Sequence, residues 1–131
     1  MKNAYPAGEE IVGALKTVRN DPEAKAMHND SLAKRAGFKG AIVLNEYHFA
    51  QISQMLLEYF GPQWLSHGEI EIKYIAPLHD QDLFVPKATI VGEDPPDSGR
   101  LALEIWCENQ DGEKLAFGKA SCLVREQRAT V

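Results

Sequence analysis

The chain is short of most features that would announce a function. It has only two cysteines, Cys107 and Cys122. They lack C-x-x-C spacing and fall in strand-like segments. There a cysteine behaves as a small buried hydrophobe rather than as half of a disulfide or a metal site. Positive charge is also in deficit: 14 Lys and Arg against 19 Asp and Glu leave a net charge of −5, with no basic stripe. This argues against nucleic acid or anionic lipid as the main partner. No run of about 18 uncharged apolar residues exists to span a membrane. The opening stretch, Met1-Lys2-Asn3-Ala4-Tyr5-Pro6, has no apolar signal core. No glycine-rich phosphate loop follows a strand, no G-x-S-x-G occurs, and no pair of histidines has metal-ligand spacing with a third ligand nearby. The expectation is a cytoplasmic protein in a reducing environment, with no metal, no cofactor, no nucleic acid and no membrane.

What is present suits one packed domain over 1–131. Hydrophobic residues make up 44% of the 131, enough for a core and too many for a disordered chain. Residues 9–19 are weakly periodic, as a first strand or an extended lead-in, and Asn20-Asp21-Pro22 breaks them. Asp30 or Asn29 can cap a short helix, SLAKRA, that stops at Gly37. After a Phe38-Lys39-Gly40 joint, Asn45 is a good N-cap for a second helix. Glu46 stands in its first turn, facing the positive end of the dipole. That helix runs to Phe60, where Gly61-Pro62 stops it. Its length is about 22 Å at about 1.5 Å per residue. Phe49, Ile52, Leu56 and Phe60 form one stripe, and Met55, Leu57 and Tyr59 widen it, so the helix is expected to be buried on most sides.

The remainder alternates as strands do. Residues 68–75 put Ile70, Ile72 and Tyr74 on one face. Residues 83–92 read as a strand with Pro86 at a bulge or edge position. Residues 101–108 align Leu101, Leu103, Ile105 and Cys107. Asn109-Gln110-Asp111-Gly112 signals a hairpin, and 114–124 returns with a face of small residues, Ala116, Gly118, Ala120 and Cys122. Residues 94–99 are a loop by composition. Helices first and antiparallel strands last indicate α+β, with the long helix laid across one face of a curved sheet. A single such layer leaves a sheet edge uncovered, and self-association is expected.

The stretch from His28-Asn29-Asp30 through Ala33, Gly37-Phe38 and Gly40-Ala41-Ile42-Val43 into the long helix resembles the MaoC-like acyl dehydratases, the (R)-specific enoyl-CoA hydratase group of the hotdog fold. Tyr74-Ile75-Ala76-Pro77-Leu78-His79-Asp80-Gln81-Asp82 is similar to that family's strand-turn-strand, which carries a proline and a Gly-Asp pair. In element order the resemblance covers about residues 10–125. The family signature is D-x-N-P-x-H-x-D, followed by a His-Gly at the start of the long helix. Carried over, His28 takes the place of the catalytic histidine, Asp30 that of the later aspartate and Glu23 that of the catalytic aspartate. Lys25 and Ala26 stand in the Asn-Pro places, and Leu44-Asn45 in the His-Gly place. Some members of the broader group keep only a shortened H-x-D with the helix after it, and this chain is nearer to them.

The resemblance implies a homodimer, or a higher homo-oligomer, whose helices are wrapped by a continuous sheet. It also implies an acyl-CoA or acyl-carrier thioester as substrate. Hydration of a 2-enoyl thioester needs a base for water, an acid for the α-carbon and donors for the developing enolate oxygen. His28 suits the base, since an unperturbed imidazole titrates near neutrality. Glu23, Asp30 or, more weakly, Asp21 would hold its second nitrogen or the water. The backbone amides at Asn45 and Glu46 would serve the oxyanion. Each residue also has a plainer reading: His28 as a polar residue flanking a helix, Asp30 as a cap, Glu23 as a solvated charge beside Lys25, and Glu46 as a complement to the helix dipole. Two other functions stay open. Glu46 could drive thioester hydrolysis, as a single carboxylate near the long helix does in some hotdog thioesterases. The same fold could also bind an acyl ligand without turnover.

Overall fold

The computed structural model describes residues 5–19, 30–37 and 46–124. Six strands and three helices are formed in these residues. The lead-in is split into β1 (Glu10–Val12) and β2 (Lys16–Thr17). Three helices follow: α1 (Asp30–Arg35), the long α2 (Glu46–Phe60) and a short α3 (Gln63–His67). The chain then runs through β3 (Gly68–Tyr74), β4 (Leu83–Glu93), β5 (Arg100–Glu108) and β6 (Lys114–Leu123).

The strands form one antiparallel sheet in the order β1-β4-β5-β6-β3, with β2 also pairing β4. The order follows from local chemistry. The β5–β6 hairpin is closed by Asn109, whose side-chain oxygen accepts from the Asp111 and Glu113 N–H groups, and by Gly112 at φ 73°. Glycine reaches that left-handed conformation without steric cost. β3 then returns from α3 to the free side of β6.

Helix α2 lies on one face of this sheet. Ile52, Met55, Leu56 and Phe60 are buried against Ala88, Ile90, Leu101, Leu103, Ile105 and Ala120. At about 25 cal/mol per Å² of apolar surface, each fully buried large side chain contributes about 1.5–3 kcal/mol, so this stripe is a major source of stability. The helix ends where Gly61, at φ 74°, donates its N–H to the Leu57 carbonyl at 2.8 Å. A second cluster joins Val18, Leu78, Phe84, Cys107, Leu115 and Ala116, with Tyr47, Ile72 and Ala76 packed against it.

Three readings change. The buried stripe of α2 runs through His48 (0% exposed), whereas Phe49 is 45% exposed. His48 shares the spacing of Ile52, Met55 and Leu56, and Phe49 lies about 100° further round. The stop at Gly61-Pro62 ends α2 but also starts α3, since proline suits a helix start. Within α3, Trp64 is buried and its indole N–H donates to Ser53 Oγ at 3.2 Å. Pro86 is on an interior strand, not at an edge. Its carbonyl accepts from Gly13 N–H at 2.9 Å, so its nitrogen also faces the break between β1 and β2, where no ladder donor is needed. The bulge in β4 lies instead between Ile90 and Gly92.

Candidate functional site at the head of the long helix

Two of the residues singled out in the sequence fall on described elements. Asp30 is the first residue of α1, and Glu46 is the first residue of α2, with its side chain exposed. Glu23, His28 and Asn45 lie outside the described residues. Helix α1 stops as the sequence indicated: Gly37, at φ 99°, donates to the Lys34 carbonyl at 3.1 Å.

The described residues fix the framework around the head of α2. His48, one residue past the half-buried Tyr47, drives its ring into the sheet side. It meets Tyr74 edge-on at 5.3 Å and Phe84 at 5.6 Å, and Tyr47 meets Phe84 at 5.2 Å. Tyr74 closes β3 and is 37% exposed, so its ring spans from the core to the surface. Burial raises the pKa of its hydroxyl, and the nearby Glu46 carboxylate and Cys107 raise it further. Tyr74 is therefore a neutral donor throughout the physiological range. Burial likewise pushes the Cys107 thiol up to about 12, which removes it as a nucleophile.

The segment that leads toward residue 20 is pinned from below. Val18 N–H donates to the Asp82 carbonyl, and Gln81 N–H donates to the Val18 carbonyl, both at 2.8 Å. The Asp82 carboxylate accepts from His79 N–H at 2.9 Å and from Gln110 Nε2 at 3.0 Å, while Gln110 Oε1 accepts from Leu83 N–H at 3.0 Å. The turn that the sequence likened to a family feature is thus a clamp between β2 and the β5–β6 hairpin. Gln81 takes φ 70° there.

Sequence reading missed the ring cluster of His48, Tyr74 and Phe84. Its signal was present in the helical spacing of His48, Ile52, Met55 and Leu56, which places an imidazole on the buried stripe. Among the described residues, no group of three or more His, Cys, Asp or Glu is arranged to hold a metal ion. No helix among them is long and apolar enough to cross a membrane.

A long helix cradled by an antiparallel sheet of this order is the hotdog fold. No family sequence model matches the chain, and no curated protein sequence does. Solved structures do. The unliganded R-hydratase PhaJ1 from Pseudomonas aeruginosa superposes with a TM-score of 0.76 at 15% identity, over 96% of this chain and 89% of that one. The MaoC-like dehydratase from Rhodospirillum rubrum gives 0.70 at 16% identity, over 95% of both chains. A thioesterase superfamily member from Thermus thermophilus gives 0.59 at 12% identity, over 90% of this chain and 82% of that one. The resemblance read from the sequence is met at the level of the fold.

Proposed function

We propose that the protein is an acyl-thioester hydratase or dehydratase of the MaoC-like type, with its site at the head of α2. The observation that carries this reading is the pairing of element starts. α1 begins at Asp30, two residues after His28, and α2 begins at Glu46, in a fold shared over nearly the whole chain with an R-hydratase. His28 takes a proton from water as the hydroxyl oxygen bonds to the β-carbon of a 2-enoyl thioester. Glu23 or Asp30 orients the imidazole or the water. The enolate oxygen is held by backbone N–H groups at Asn45 and Glu46, where the helix dipole favours negative charge. Delivery of that proton from the His28 imidazolium to the α-carbon completes addition of water, and dehydration runs the same steps in reverse. The chain works as a homodimer or higher homo-oligomer, with the edge of β3 that carries no strand among the described residues joining two sheets, and it resides in the cytoplasm.

The test is loss of the conjugated-thioester absorbance of crotonyl-CoA and longer 2-enoyl-CoAs. Wild-type protein is expected to consume it and a His28→Ala chain to lose about 10²-fold or more in rate, the usual contribution of a general base. Folded protein inert on every chain length would refute the reading.

A second reading, thioester hydrolysis through Glu46, is favoured by the exposed position of that carboxylate in the first turn of α2 and by the thioesterase superfamily match. Release of free thiol from saturated acyl-CoAs, abolished by Glu46→Gln, distinguishes it from hydration. Binding of acyl-CoA without either reaction would mark a non-catalytic ligand protein.

A further inference from the structure

The face of the sheet turned away from α2 has a composition that a solvated face does not need. An antiparallel sheet packed on one side carries polar residues on the other. Here the directly opposed pair Trp106 and Phe117 stands at the centre of that face, with Phe117 43% exposed. Ile75, 49% exposed, stands beyond them. Together with the charged residues around them they line a concavity of about 840 Å³.

Strand register arranges the charges around this centre in two neighbouring rows. One row runs Lys73, Phe117, Trp106, Lys87 across β3, β6, β5 and β4. The other runs Glu71, Lys119, Glu104, Thr89. The first row carries positive charge at its Lys73 end, and Lys114 adds to it from above the Trp106 ring at 5.1 Å, while Lys87 at the far end is paired with Glu108 at 2.7 Å. The second row has two carboxylates about one lysine. A small anion or cation laid across both rows would be attracted by one and repelled by the other. The same pattern turned over on itself is complementary.

We propose that this face docks a second copy of the chain through a twofold axis lying between the two rows. The axis sets the basic row of each copy against the acidic row of the other. Lys73 of one copy meets Glu71 of the other, Phe117 meets Lys119, and Trp106 packs into the trough between the rows. Every contact occurs twice, as an isologous interface requires, and Phe117 with Lys119 has the partners of a cation–π contact. Two stacked sheets about 10 Å apart suit side chains of this size. This contact is separate from the sheet edge at β3, so the two together build a tetramer from edge-joined dimers.

Sedimentation velocity of the intact chain tests the contact. The wild type is expected to halve its mass on addition of about 0.5 M salt, which screens exposed charge pairs. Lys73→Glu and Phe117→Lys, which set like charges against Glu71 and Lys119 of the other copy, should each give the halved mass at low salt, with an unchanged circular dichroism spectrum. Lys73→Glu combined with Glu71→Lys should restore the wild-type mass, because the swap rebuilds both symmetric pairs. A fall from tetramer to dimer, or from dimer to monomer, supports the contact. A wild-type mass that salt and both single substitutions leave unchanged overturns it, and a stable dimer behaving so would leave the β3 edge as the joining surface.

Discussion

Gly118 is the position at which one added methyl group should do the most damage for its size. An alanine Cβ there would be driven onto the Glu71 carbonyl oxygen, with the Glu71 carbonyl carbon at 2.9 Å and Ile72 Cα at 3.0 Å. All three atoms are backbone of β3, so no side-chain rotation relieves the clash. β3 would have to move away from β6, where seven residues pair, from Gly68 with Cys122 to Tyr74 with Ala116. Overpacking a close-fitting site costs about 1–3 kcal/mol, and an obstacle made of backbone belongs at the upper end. A loss of about 3 kcal/mol, at an unfolding entropy of roughly 0.28 kcal/mol/K for a chain of this length, lowers Tm by about 11 °C. The measurement is thermal unfolding of Gly118→Ala and wild type at one protein concentration, since association makes Tm depend on it. The cost should reappear as a lower urea midpoint with unchanged slope. A Tm within about 2 °C of wild type, well under 1 kcal/mol on the same scale, would mean that β3 is not held this close to β6 and that the small-residue face of β6 has another cause.

Two further predictions concern the buried thiols and the β3–β4 turn. Burial holds the Cys107 thiol at about 12 against a usual 9.0, so the folded state keeps a proton that the unfolded chain loses. The stability this group contributes is complete below about pH 9 and falls as pH rises toward the folded value. Cys107 alone should cost about 2 kcal/mol between about pH 8 and about pH 10.5. Urea unfolding under reductant reads this, and a Cys107→Val chain as alkali-sensitive as the wild type would refute it. Gln81, at φ 70° with an exposed side chain, occupies a backbone region that disfavours L-residues by about 1–2 kcal/mol. Gln81→Gly should therefore raise stability by about 0.5–1 kcal/mol after the entropy of the added glycine is counted, whereas a lowered urea midpoint would show that the Gln81 side chain is doing something the backbone does not need.

Much of the architecture is legible in the sequence because it rests on local rules. The bounds of α2 follow from an N-cap candidate, a first-turn carboxylate and a glycine-proline stop. The β5–β6 hairpin follows from Asn109 and Gly112, and the inward face of β5 follows from strict alternation. The errors share a different origin. His48 and Phe49 are neighbours, and a period alone does not say which is inside. Only the rings of Tyr74 and Phe84, brought from two distant strands, make an imidazole the better fit. Pro86 is tolerated on an interior strand because β1 and β2 break opposite it, a fact of tertiary pairing.

The candidate site divides along the same line. Asp30 and Glu46 were legible as helix starts because a helix start is a local event, and both stand where their helices begin. The chemistry assigned to them depends on groups that meet only in the folded assembly, which spacing does not encode. That asymmetry bears on Glu46. Burial raises the Tyr74 hydroxyl pKa and the Glu46 carboxylate raises it further, and Tyr74 lies on β3, the strand whose outer edge is proposed to join two copies. Substitution of Glu46 is therefore best read on assembly and on turnover together, because an effect on turnover alone separates a chemical role from a structural one.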